Sequence, residues 1–279
     1  MNSLHRHRGP TTSKRGKLRF ALFVMLAFCA VGKGVSAQGF AALVSPPRFE
    51  LTAKGGDRLR QVIEITNASG QAAKFYLKTA DWTLDKSAGV TFDDALQATS
   101  CRPWVAIERR EISVSPAGKY RFRFEIAVPA DTPPGECRFA LMLEGDEQTV
   151  RNPKGPPVPV AGRIGVIVYV TIGGAEAKLE VVGAQVETIN GDATPVLQIK
   201  NSGNAHGRVS GFLSATDANG KKLEFTPSNL PILPGETRAI SLPVNRERDE
   251  ALKIGYPITI RGNLEAGDKS MPFEQRFAP

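Results

Sequence analysis

The sequence predicts an all-β protein made of two sandwiches in tandem, and three observations carry that expectation. Short runs of alternating apolar and polar residues recur from Ala41 onward, turn residues (Gly, Pro, Asn, Asp) separate them, and helical periodicity is almost absent. The 279 residues, 41% hydrophobic and 23% charged, have an ordinary globular balance and a length that suits two domains.

The first 37 residues stand apart from this pattern. Arg6, Arg8, Lys14, Arg15, Lys17 and Arg19 precede a 12-residue apolar run, Phe20 to Val31, and Val35-Ser36-Ala37 offers small residues for cleavage. The segment 1–37 therefore reads as a secretory signal, because a bilayer span needs about 20 apolar residues. Leu26 to Cys29 makes a poor lipidation box, since Phe28 is bulky where a small residue is wanted. The segment holds seven of the 36 Lys and Arg and none of the 28 Asp and Glu, so the remaining chain is nearly neutral at +1. The basic pI of the whole sequence thus lends no support to nucleic-acid binding.

The strands follow in order. In RQVIEITN (60–67) Val62, Glu64 and Thr66 share one face, with Ile63 and Ile65 on the other. Tyr120, Phe122, Phe124 and Ile126 alternate with Arg121, Arg123 and Glu125, the pattern of a strand with one wet face. AAKFYLKTADW and CRFALMLEG continue the style, whereas the proline-rich stretch Pro153 to Pro159 reads as a loop. After it comes GRIGVIVYVTIGG (162–174), which is different: Ile164, Val166, Val168 and Val170 alternate on one face, yet Ile167 and Tyr169 make the other face apolar too. Such a strand is covered on both sides or lies beside a partner from outside the chain. The paired glycines of Gly173-Gly174-Ala175 then read as a hinge, dividing the chain into domains 38–172 and 173–279.

Six further strands are expected in the second half: AKLEVVGAQVET, PVLQIKNSG, HGRVSGFLSATD, KKLEFTP, TRAISLPV and YPITIRGNLEA. The halves echo each other, IEITNASG at Ile63 against LQIKNSGN at Leu197, and SVSPAGKYRFRF at Ser113 against PILPGETRAISL at Pro231. Two sandwiches of one type are the simplest account.

Cys29 leaves with the signal, so Cys101 and Cys137 remain. In an oxidising compartment they most simply form one disulfide, worth about 4 kcal/mol in the chain-entropy model; two buried free thiols are the alternative. His206 is the one histidine outside the signal, and in KNSGNAHGRVSG it reads as a solvated turn residue rather than a triad base. Asp93-Asp94 and Asp146-Glu147 likewise read as solvated turns. Cys/His metal spacing, a P-loop and a dinucleotide glycine fingerprint are missing from the sequence. The expectation is therefore a protein that is not an enzyme, with no cofactor, no metal and no small-molecule substrate.

VSPPRFEL (44–51), VIEITNASG, the strand at Trp104, SVSPAGKYRFRF, PADTPPGECRFALML and GRIGVIVYV occur in an order that resembles the periplasmic fimbrial chaperones of the chaperone/usher pathway. The resemblance covers about residues 40 to 172, with a second domain after it. It implies two immunoglobulin-like β-sandwich domains, a periplasmic location, pilus or fimbrial subunits as partners and, through the complex, an outer-membrane usher. It also implies that the strand around 163–172 is donated to a subunit, with Ile164, Val166, Val168 and Val170 as plugs for a foreign core. Two cations of the family anchor a subunit's terminal carboxylate. Arg48 matches the first, and Arg163 stands nearest the second, where the family has Lys. The disulfide of the family's long-loop branch joins other strands, so Cys101 and Cys137 point to a divergent member. The competing expectation is a secreted structural or adhesive protein whose two domains bind cell-envelope components.

Overall fold

The structure, a computed structural model, describes residues 40–150 (backbone only at 148–150), 155–246 and 252–279. The signal expected at 1–37 lies outside the described residues. The first sandwich comprises β1 (Ala42–Ser45), β2 (Arg48–Ala53), β3 (Arg58–Asn67), β4 (Ala73–Leu84), β5 (Val90–Asp93), β6 (Val105–Ile107), β7 (Glu111–Val114), β8 (Lys119–Ala127), β9 (Gly135–Gly145), β10 (Gln148–Val150), β11 (Val158–Val160) and β12 (Arg163–Ile172). One sheet has the order β1-β3-β8-β6 and the other β2-β12-β9-β4-β5, with β7 also on β4. Pro46 and Pro47 interrupt what would be one strand, so β1 joins the first sheet and β2 the second.

The inner faces follow the alternation in the sequence. Ile63, Ile65, Phe122, Phe124, Ile126, Phe139, Leu141 and Leu143 pack into one core with Val166, Val168 and Val170. Each such side chain removed from water contributes about 1.5–3 kcal/mol. At one end, the Phe40 ring fills the space that a Cβ at Gly145 or Gly162 would need, and meets Phe75 edge-on at 6.0 Å.

The second sandwich contains β13 (Leu179–Ile189), β14 (Asp192–Asn201), β15 (Leu213–Thr216), β16 (Lys222–Phe225), β17 (Thr237–Ser241), β18 (Ile258–Ala266) and β19 (Lys269–Phe277). Its sheets, β13-β14-β17 and β16-β15-β18-β19, enclose a separate core around Leu197, Phe225, Ile240, Ile260 and Phe277. Gly173 and Gly174, at φ +64° and +76°, turn the chain after β12, a conformation costly to any residue with a Cβ.

Two expectations are corrected here and one strand is added. Pro153 to Pro159 is not all loop, because β11 pairs with β10 in a two-stranded ribbon that includes Pro159. The expected strand from His206 is regular only from Leu213, the earlier residues making single bridges at Gly207 and Ser210. The edge strand β19 goes unnoticed in the sequence because it carries Pro272, which an edge tolerates.

One buried acid organises the first sandwich. β4 pairs with β9 only as far as Ala80, then diverges at Asp81 to pair with β5. Thr99–Cys101 takes the vacated side of β9: Arg138 N donates to Thr99 O at 2.9 Å, and Cys101 is bonded to Cys137. Asp81, buried at the point of divergence, accepts from Gln97 N at 2.8 Å and Ser100 Oγ at 2.6 Å, with Arg102 Nη1 at 3.6 Å. The carboxylate and the disulfide therefore hold the same loop, the one at Gln97, Ser100 and Arg102 and the other at Cys101.

Removing Asp81 leaves the Gln97 amide and the Ser100 hydroxyl without their acceptor and Arg102 without its ion-pair partner, so Asp81→Ala is expected to lose about 3 kcal/mol in urea unfolding. The Cys101→Ser, Cys137→Ser pair is expected to lose about 2–4 kcal/mol. Combining the changes should cost less than their sum, since both release one loop; strict additivity would show that the two restraints act separately.

Candidate functional site

Strand β12 determines the site because its two edges differ. On one edge β9 pairs with it along its whole length, Arg163↔Glu144 through Ile172↔Gly135. On the other, β2 runs parallel only from Ile167↔Arg48 to Ile172↔Ala53. Among the described residues no strand pairs the second edge at Arg163, Ile164, Gly165 and Val166, which leaves about 13 Å of open main chain at 3.3 Å per residue. Just upstream, the β10–β11 ribbon slips register by one residue relative to β9–β12, and it exposes Val158 and Val160, 44% and 49% accessible.

The four side chains expected to plug a foreign core do not face outward. Val166, Val168 and Val170 are fully buried in the chain's own sandwich, and Ile164 packs against the same core. Alternation alone identified their shared face correctly but could not say whose core it fills. The exposed alternating pair is Val158 and Val160, hidden in the sequence by the prolines around them.

The opposite face of β12 fills a second, smaller core. Tyr169 packs with Ala80, Trp82, Ala140 and Met142, joined by Ile167, Phe92 and, from the second sandwich, Leu233. The Trp82 and Tyr169 rings meet edge-on at 5.5 Å, and the His206 ring stacks on Tyr169 at 3.8 Å. His206 is thus not the solvated turn residue its sequence suggests, its side chain being only 8% exposed. Its Nδ1 lies 2.5 Å from Oε2 of the buried Glu136, which also accepts from the His206 backbone N at 2.9 Å. Arg238 adds a further link between the sandwiches by donating to the carbonyls of Asp85 at 2.8 Å and Leu84 at 3.4 Å.

Arg48 and Glu50 lie on this outer face of β2, and Glu50 gathers charge from both sandwiches. Its Oε1 is 2.8 Å from Arg48 Nε, 3.3 Å from Arg208 Nε and 3.6 Å from His206 Nε2. Burial pushes the Glu50 carboxyl upward, but Arg48, then His206 and Arg208, outweigh it and hold it below the usual carboxylate range. Tyr169 is pushed up to about 12, chiefly by burial.

Arg48 and Arg163 do not meet. Arg48 pairs with Ile167, four residues and about 13 Å along the strand from Arg163. Between them the Phe92 ring lies over Gly165, in the space a Cβ there would occupy. The Cys101–Cys137 bond is present, behind the face that carries Glu136 and Arg138.

No protein-family model matches the chain, and no curated protein does. Among solved structures, the chain is similar to the YadV chaperone at 10% identity and TM-score 0.45, covering 84% of this chain and 98% of that one. It is similar to the CsuC–CsuE chaperone–tip adhesion subunit complex from archaic chaperone-usher Csu pili of Acinetobacter baumannii at 13% identity and TM-score 0.43, covering 86% and 100%. The SafB chaperone structure with SafA pilin from Salmonella enterica gives 11% and 0.43, covering 86% and 98%. At these identities and TM-scores no activity is carried across.

The lowered Glu50 carboxyl has a consequence for acid stability. Its contribution is present above the ordinary carboxylate pKa of about 4.3 and is lost as pH falls through the lowered folded value. Between about pH 5 and pH 3, wild type should therefore lose more stability than Glu50→Gln; equal losses in urea titrations would remove Glu50 from the acid response.

Proposed function

We propose that this protein is a periplasmic chaperone that binds pilus or fimbrial subunits and stabilises them by strand addition for assembly at the outer membrane. The observation that carries the reading is the unpaired edge of β12 at Arg163–Val166, continuous in sequence with the exposed Val158 and Val160. An extended segment added there gains main-chain hydrogen bonds, and alternate apolar side chains set its register. In this reading the plugs are Val158 and Val160, while Ile164 and Val166 contribute their backbone. Arg48 is the contact for a subunit's terminal carboxylate, and Arg163 flanks the open edge.

The domains of this reading are 38–172 and 173–279, released after the signal at 1–37, and the Cys101–Cys137 bond suits an oxidising compartment. The usher is an indirect partner, met through the subunit complex. Binding rather than catalysis is the mode of action. It is supported by the packing of His206 between Tyr169 and Glu136, which gives that histidine a structural task. The structural or adhesive alternative expects Ile164–Val170 to be central in its own sheet, and the one-sided pairing at Arg163–Val166 does not favour it.

The test is capture in the native host. The mature chain, tagged and expressed in the periplasm, should bring down a small secreted β-rich protein at one-to-one ratio. Val158→Asp with Val160→Asp should abolish this capture and leave the melting temperature within a few degrees, since exposed substitutions usually cost under about 0.5 kcal/mol. Val166→Asp is unsuitable, because it buries a charge in the protein's own core. Undiminished capture by the double variant would sink the proposal.

A further inference from the structure

The two sandwiches turn outer faces of different charge toward solvent. On the sheet β1-β3-β8-β6, the outward positions of β3 and β8 hold Arg58, Arg60, Lys119, Arg121 and Arg123 against Glu64 and Glu125, a net +3. Beyond them, Glu108 and Arg109 cancel. On the sheet β16-β15-β18-β19, the exposed Lys222, Arg261 and Arg276 are balanced by Glu224, Glu265 and Glu274. The chain after the signal totals +1, so against the +3 of this one face the remainder is −2.

We infer that the β3–β8 face docks on an anionic lipid bilayer, its cations meeting phosphate headgroups and Leu43 entering the interface. It lies on the side of the first sandwich away from Tyr169 and the second sandwich. The inference therefore goes beyond the subunit reading and does not rest on it.

Cross-strand pairing sets where the charges stand. Arg60 lies opposite Glu125, Val62 opposite Arg123, Glu64 opposite Arg121 and Thr66 opposite Lys119, in rows about 7 Å apart along the strands. Glu125 is shared by Arg58 and Arg60 at 2.5 and 2.8 Å, Lys119 holds Glu64 at 2.6 Å, and Arg123 holds Glu108 at 3.5 Å. Every acid of the face thus has a cation, but the reverse is not true. Arg121 makes no side-chain ion pair or hydrogen bond among the described residues, and one of the two arginines at Glu125 is in excess. This surplus attracts an anion from outside the chain.

Flatness selects the occupant. The outward positions belong to one unbroken antiparallel pair, so the cations are spread over about 27 Å instead of converging on a point. A groove of about 550 Å³ crosses this face, but it is shallow, with Val62 and Ala106 on its floor and Arg60 and Arg123 on its walls. One small anion engages only part of such an array, whereas a plane of headgroups meets all of it at once. At the rim Leu43, opposite Thr66 and next to Lys119, is 63% exposed. A large apolar side chain beside a lysine at the border of a basic face fits the boundary between headgroups and acyl chains. An acidic protein would need a matching pocket for Leu43; a bilayer receives it anywhere in its plane.

The probes are vesicles of phosphatidylcholine alone and of phosphatidylcholine with about one third phosphatidylglycerol, sedimented with the mature protein. At about 50 mM salt, affinity for the anionic vesicles should exceed that for the neutral ones by about tenfold or more, and most of the preference should be lost by about 300 mM. Arg121→Ser should weaken anionic binding about fivefold, and Arg121→Ser with Arg123→Ser about twentyfold. Leu43→Ser should weaken it about threefold at both salt concentrations, since apolar insertion is not screened. Arg261→Ser with Arg276→Ser, on the balanced face, should change nothing. All these positions are exposed, so melting temperatures should stay within a few degrees.

Equal binding to the two kinds of vesicle, or equal losses from the two double variants, overturns the inference. Displacement by free glycerol phosphate also overturns it, since the groove would then be a small-anion site. Tight binding of polyglutamate without binding of vesicles does the same in favour of an acidic protein. Subunit capture by the Arg121→Ser, Arg123→Ser variant should be undiminished, which separates this test from that of the chaperone reading. Loss of capture there would assign the face to subunit binding and overturn its assignment to a bilayer.

Discussion

The rest of the structure depends on how β12 divides its contacts. A strand has two faces and two edges, and here both faces are covered along Val166–Ile172, while one edge is left open along Arg163–Val166. The inner face completes the first sandwich core; the outer face, through Tyr169, forms the seat for the second sandwich. Because the same ten residues do both, the free edge is carried on a strand packed on both faces. Rigidity of that kind lowers the ordering cost of adding a strand, since only the incoming segment loses freedom.

The divergence of β4 at Asp81 serves the same arrangement from the far side. Had β4 followed β9 to its end, β5 would lie beyond the sheet, and Phe92 would not reach over Gly165. The diverging hairpin instead folds its aromatic ring onto the outer face, next to the surface that receives Leu233. Asp81, Arg102 and the Cys101–Cys137 bond close the gap left on β9, and the disulfide lies one residue from both Glu136 and Arg138. The staple of the fold and the polar part of the inter-sandwich contact therefore share one strand.

Much of this was legible in the sequence, and the exceptions have physical reasons. Period-two patterning gave the strands containing Ile63, Phe122 and Val166 and the faces on which their side chains lie. It raised the correct question about Ile167 and Tyr169, whose cover is supplied by Trp82, nearly ninety positions earlier, and Leu233, more than sixty later. Pairwise contacts at such separations leave no periodic trace. His206 was misread for the same reason, since a histidine in a Gly- and Asn-rich turn is indistinguishable from one stacked on a tyrosine of another domain. Arg208 carried no signal at all until Glu50 was seen to join it to Arg48.

The open edge is also exposed to pairing with other copies of the chain. A long flat apolar edge invites pairing with other copies, and two features of this one oppose that outcome. Pro159 leaves the ribbon one amide donor short between the exposed valines, and the register slip between β11 and β12 breaks the edge into two pieces of different alignment. A generic strand pairs well with one piece only, whereas a segment that itself bends or skips a residue at that point can follow both. Selectivity at such an edge comes from the defect in the ladder as much as from the ladder, because the main-chain groups available on either side are alike for every partner.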